Sequence, residues 1–115
     1  MKHLRKGAVI VALMACLIGC GGKPSGMDDN TYKLGCKALE IMDDYNNMEI
    51  SEDDAYNQLG DIYDRLDSRE YDEDHQSESI QNDSIRSSVL GFQIGMNGNN
   101  DLIEEANNLR NKLNK

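Results

Sequence analysis

The chain has no Trp and a single Phe, Phe92, so any interior must be built from aliphatic side chains, Met and five Tyr. It shows no two-residue alternation of apolar and polar side chains, the mark of a half-buried strand, which argues against a sheet. No apolar run reaches the roughly 20 residues that a membrane-spanning helix requires. Basic residues are also scarce, with 12 Lys and Arg against 21 Asp and Glu. Such a balance repels nucleic acid and anionic lipid headgroups, so neither is an expected partner. Cysteine is limited to Cys16, Cys20 and Cys36.

The usual catalytic arrangements are missing too. Ser84, Ser87 and Ser88 lie in a helix-patterned stretch without the Gly-x-Ser-x-Gly elbow that exposes a nucleophilic serine. No glycine loop of the phosphate-cradling kind occurs. Cys36 and His75 would make a nucleophile–base pair only if the fold brought them together. Adjacent acids such as Asp43–Asp44 and Asp53–Asp54 are commonplace in so acidic a chain. No enzyme activity is expected, and no cofactor.

Metal chemistry is weakly supported. Residues 67–78 place Asp67 and Glu78 at the ends of a twelve-residue calcium loop, but Arg69 and Tyr71 occupy ligand positions and Asp72 stands where Gly is needed. Structural zinc wants four N or S donors, and His75 with Cys36 supplies two. No metal site is assigned. A looser cation site on Asp72, Glu73, Asp74 and His75 remains an alternative to plain solvated charge.

The N-terminus does carry a strong signal. Lys2, Arg5 and Lys6 precede an apolar run from Ala8 to Ile18, and that run closes on Leu17-Ile18-Gly19-Cys20. Positive-then-apolar order is the secretory pattern. The chain here resembles a bacterial lipoprotein precursor, whose lipobox reads Leu, a small or apolar residue, Gly or Ala, then Cys. The resemblance implies cutting before Cys20, diacylglycerol on its sulfur and, often, an acyl group on its new amine. Leu13-Met14-Ala15-Cys16 fits the same pattern behind a shorter apolar core and is the alternative site. Two or three acyl chains anchor stably where one is marginal, at about 0.8 kcal/mol per buried methylene.

This reading divides the chain into a signal peptide (1–19), a lipidated Cys20 with a Gly/Ser/Pro linker (20–26) and an acidic helical domain (27–115). Cutting before Cys20 leaves 96 residues with nine basic against 21 acidic side chains, a net charge of −12. It also leaves Cys36 as the only unmodified thiol, whereas cutting at Cys16 would let Cys20 and Cys36 pair. Gly21 is not the Asp that retains lipoproteins in the inner membrane of Gram-negative cells. The expected location is therefore the extracytoplasmic face of the cell membrane or outer membrane.

Four segments beyond the linker carry helical periodicity. The first, about Asp29 to Met48, gathers Leu34, Gly35, Ala38, Leu39, Ile41, Met42 and Tyr45 on a broad arc, with Asp28 or Asp29 as cap. Such a half-apolar helix should pack against more than one neighbour. The second, Glu52 to about Ser68, has Ala55, Leu59, Ile62 and Leu66 in a narrow stripe flanked by Tyr56 and Tyr63, with Ser51 and Asp54 as a capping pair. A polar connection follows.

The third helix, from Glu78 or Ser79 to Met96, turns Ile85, Val89, Phe92 and Met96 to one face, with Ile80, Leu90 and Ile94 well away from it. Only Asn82, Arg86 and Gln93 form a polar strip, which predicts the most enclosed helix. Its small residues Ser84, Ser88, Gly91 and Gly95 suggest close helix approach. The fourth, Asp101 to about Leu113, aligns Leu102, Ala106, Leu109 and Leu113. The expected fold is all-α, a small bundle of three or four helices.

Function is less legible. Leu90 and Ile94 are the candidate contact for a protein partner if one face of the third helix is open, and plain core if another helix covers them. The leading expectation is a membrane-anchored, non-catalytic protein-interaction module in an adaptor, assembly or exclusion role. The alternative is a binder of a cation or cationic ligand through the acidic surface.

Overall fold

The first two helices are started by side-chain caps, and the first closes on a left-handed residue. In the computed structural model, which describes residues 23–98 and 102–115, α1 (Asp29–Asn46) begins where the Asp28 carboxylate accepts from the Thr31 N–H at 2.7 Å. That bond satisfies one of the donors that a first turn leaves unpaired. The helix ends two residues earlier than its apolar pattern suggests. Glu49 N–H donates to the Asp44 carbonyl at 2.8 Å and Met48 N–H to the Tyr45 carbonyl at 3.0 Å. Met48 adopts the left-handed conformation (φ +61°) that this paired closure demands.

Helix α2 (Glu52–Asp67) is capped by Ser51, whose hydroxyl accepts from the Asp54 N–H at 3.1 Å. Its first turn holds Glu52, Asp53 and Asp54 and its last Arg65, an order that suits the helix dipole. The following connection contains a 3-10 turn, Glu73–His75, that runs straight into α3 (Gln76–Met96). Helix α4 (Leu102–Lys112) closes as α1 does, with Asn114 left-handed at φ +59°. Asp101, its expected first residue, lies outside the described residues. No strand occurs among the described residues, and no helix there is long and apolar enough to cross a membrane.

The four helices form an all-α bundle around one core. Helix α1 packs against α2, α3 and α4, as its broad apolar arc predicts. Leu59, Leu66, Ile85, Val89, Phe92, Leu109 and Leu113 are fully buried. Each such aliphatic or aromatic side chain contributes roughly 1.5–3 kcal/mol relative to exposure. Phe92 meets the Tyr45 ring edge-on, with centroids 6.0 Å apart. Met27, 2% exposed, extends the core to the residue before the α1 cap.

Gly35 sets how closely the helices approach. A Cβ there would stand 2.8 Å from Leu113 Cδ2 and 3.3 Å from Ile85 Cγ2, so the seat of Leu113 exists because the side chain is missing. The expected small-residue contact on α3 is a different one. Lys112 of α4 donates to the Ser84 carbonyl at 3.1 Å and to Ser88 Oγ at 2.7 Å. A polar clasp joins α4 to this stripe.

The enclosed α3 anticipated from sequence is corrected by the structure. Asn82 and Gln93, expected on a solvent strip, are 3% and 7% exposed, whereas Ile80, Leu90 and Ile94 are 67%, 39% and 58% exposed. The polar strip is the seam with α2. Asn82 Nδ2 donates to the Leu66 carbonyl at 2.9 Å and Gln93 Nε2 to the Tyr56 carbonyl at 3.0 Å. Buried amides cost little when bonded in this way and a great deal when they are not. The apolar edge is left facing outward.

Candidate interaction surface

The candidate surface is the outer strip of α3, and the two neighbouring helices define its borders. Ile80 and Ile94 are 14 residues apart, nearly four turns, so they share one face with Ser87 midway. Leu90 sits on the α2 side of that strip, one turn before Gln93, which reaches across to Tyr56. Tyr56 itself is 42% exposed. Tyr63, a heptad along α2, is half-buried and faces Arg86. Gly60 lies between the two tyrosines, with Gln93 Nε2 only 3.4 Å from where its Cβ would be. Leu90 and Ile94 thus lie on the outer side of the seam between α3 and the Tyr56 end of α2.

On the other border, Glu105 of α4 lies against Gly91, its carboxylate 3.2 Å from where a Cβ would project. Burial lowers the pKa of the adjacent Lys112, with Glu105 opposing that effect. On the α2 border, Arg86 bonds Asp67 at 2.7 Å and approaches Asp83 at 3.4 Å. The cations nearest the strip thus already have partners, Arg86 at the surface and Lys112 between α3 and α4.

Leu90 and Ile94, the pair expected from sequence, are both exposed, and Ile80, at a spacing that puts it on the face of Ile94, is exposed with them.

A second polar cluster joins the start of α1 to the α2–α3 connection. Arg69 donates from Nη2 to Asp28 Oδ2 at 2.8 Å and from Nε to the Tyr71 hydroxyl at 2.7 Å, and Tyr71 donates to Asp28 at 2.7 Å. Burial works to raise the Asp28 pKa, but donors from Thr31 and Tyr71 and the Arg69 charge hold it below the ordinary value. Thr31, fully buried, donates onward to Asn82 Oδ1 at 3.1 Å. The polar groups of the cluster are bonded to one another.

The acidic connection makes no cation cage. Asp72 is bonded to His75 Nδ1, which raises the His75 pKa and lowers that of Asp72. Among the described residues no group of three or more His, Cys, Asp and Glu side chains is arranged to hold a metal.

A small cleft of about 140 Å³ between α1 and the end of α4 is lined by Cys36, Glu40, Asp43 and Arg110, among others. Arg110 bonds Asp43 at 2.6 Å. Glu40 Oε1 is buried without a hydrogen-bond partner, and burial, then the neighbouring Asp44, pushes the Glu40 pKa up to about 7. Cys36 is 2% exposed and disulfide-bonded. The other two cysteines, Cys16 and the expected lipidation site Cys20, lie outside the described residues.

Comparison with known proteins finds no family model, no curated relative and no solved structure that matches this chain.

Proposed function

We propose that this chain is a lipid-anchored extracytoplasmic module that works by binding another protein near the membrane. It has no catalytic role and acts as an adaptor, an assembly factor or a blocker of passage across the envelope. The observation that carries the reading is the outward-facing pair Leu90 and Ile94, on a helix whose amides Asn82 and Gln93 are turned inward. Clustered apolar exposure on a small domain marks an interaction site more than chance does.

The anchor rests on Leu17-Ile18-Gly19-Cys20 behind a basic N-terminus. Cys20 is the lipidated residue, at the cell membrane or the outer membrane. A sulfur in a thioether cannot also pair, so on this reading Cys36 does not pair with Cys20 in the anchored protein.

Two measurements test this reading. A photo-reactive amino acid at position 90 or 94, activated in the producing cells, should capture a membrane-associated protein that the same group at exposed Asp61 does not. Only lipid adducts, or identical adducts from position 61, would count against an interaction site. For the anchor, Cys20→Ala should abolish labelling by palmitate. Persistent label would move the site to Cys16.

A further inference from the structure

The strip on α3 is apolar, but its borders are carboxylates. We propose that its partner, on the interaction reading above, is an amphipathic helix whose apolar stripe is edged on both sides by lysine or arginine. Helix α2 carries Glu52, Asp53, Asp54, Asp61, Asp64 and Asp67 against one cation, Arg65. Helical spacing puts Asp53 and Asp64 beside the edge formed by Tyr56, Gly60 and Tyr63. Glu105 flanks the opposite side across Gly91, and Asp83 stands on α3 itself.

The nearby positive groups already have partners within the chain. Arg86 is held by Asp67 and Asp83, and the Lys112 ammonium points into Ser84 and Ser88. No ion pair among the described residues uses Asp53 or Asp64. A helix laid along the strip would place its apolar residues on Leu90, Ile94 and Tyr56, and its flanking cations on Asp53, Asp64 and Glu105. That is helix-in-surface recognition with charge fixing the orientation. A second copy of this chain would bring the same acidic borders against these, and an anionic lipid surface would be repelled by them.

The probe is a synthetic leucine–lysine amphipathic helix long enough to span the strip, with a photo-reactive group in its apolar stripe. It is mixed with the full chain in neutral detergent, irradiated, and the adducts are mapped by mass spectrometry. Adducts should fall on residues 56–67 and 83–94. The yield should drop at least about tenfold in the Leu90→Ser/Ile94→Ser variant and when glutamate replaces lysine in the probe. Asp53→Asn/Asp64→Asn, which leaves the apolar strip intact, should weaken capture and flatten its salt dependence.

Adducts spread over the acidic surface and indifferent to the Leu90/Ile94 variant would overturn the proposal, as would equal capture of the glutamate probe or none of either. If the probe fails while cross-linking from position 90 in cells still captures a protein, the partner's chemistry is wrong and the interaction reading stands. Failure of both removes the interaction reading itself.

Discussion

Gln93 Nε2 donates to the Tyr56 carbonyl oxygen at 3.0 Å, and this contact fixes which side of α3 meets α2. With Asn82 bonded to Leu66 eleven residues earlier on the same helix, it makes a polar seam through the side of the bundle. Pairing these amides inside the fold forces Leu90 and Ile94 out. The exposed strip and the buried amides are one structural decision.

Asn82→Ala tests that seam. The change strips the Leu66 carbonyl, at the end of α2, of its side-chain donor, and the Thr31 hydroxyl of its acceptor. Leaving buried polar groups unpaired costs about 1–3 kcal/mol. Urea unfolding should show a lower midpoint, with the unfolding free energy reduced by that amount. An unchanged midpoint would mean that the seam is wet.

Met48 offers a change in the opposite direction. It is 92% exposed and left-handed at the end of α1, so its side chain contributes no burial while its backbone carries the strain of a non-glycine residue there. Met48→Gly should stabilise the protein by roughly 1 kcal/mol, relieving a conformation that costs about 1–2 kcal/mol for L-residues less the entropy glycine adds. Thermal unfolding followed by circular dichroism would reveal the rise.

Two helical glycines should respond oppositely to alanine. Gly35→Ala drives a methyl into Leu113 and Ile85 in the core and should cost about 1–3 kcal/mol. Gly91→Ala meets only the end of the flexible Glu105 side chain, so the gain in helix propensity, up to about 1 kcal/mol, should decide its sign. Equal destabilisation of both variants would contradict the packing described.

Glu40 gives the fold a pH dependence of its own. Its carboxyl holds a proton up to about pH 7 in the bundle, against an ordinary value of 4.5. The folded state therefore binds the proton more tightly than the unfolded chain, and stability falls as pH rises from 4.5 to 7. Glu40→Gln should abolish that decline. Its unfolding midpoint should match the parent near pH 4 and exceed it near pH 8.

The sequence made the elements easy to read and their rotation hard. The stripe Ala55, Leu59, Ile62 and Leu66 allowed one orientation for α2, and Ser51 with Asp54 marked its start. Helix α3 has apolar residues on more than one side, so periodicity alone does not say which side turns inward. The answer came from partners far along the chain, with Asn82 reaching Leu66 and Gln93 reaching Tyr56. The end of α1 was overrun for a related reason. Nothing in Met48 announces a left-handed residue, which glycine or asparagine ordinarily signals. Glu40 was hidden because its surroundings are assembled by α1 and the end of α4 together.

The grip of Arg69 and Tyr71 on Asp28 also has a mechanical meaning. Any tension reaching the bundle from the N-terminal side arrives through Lys23 and Met27 at the first turn of α1. A helix pulled by its end unzips one turn at a time under small force. Here the load passes sideways at Asp28 into the α2–α3 connection, 41 residues away in sequence. The bundle would resist a tug on that side by shear, with α1 and α3 loaded together, and would not simply peel.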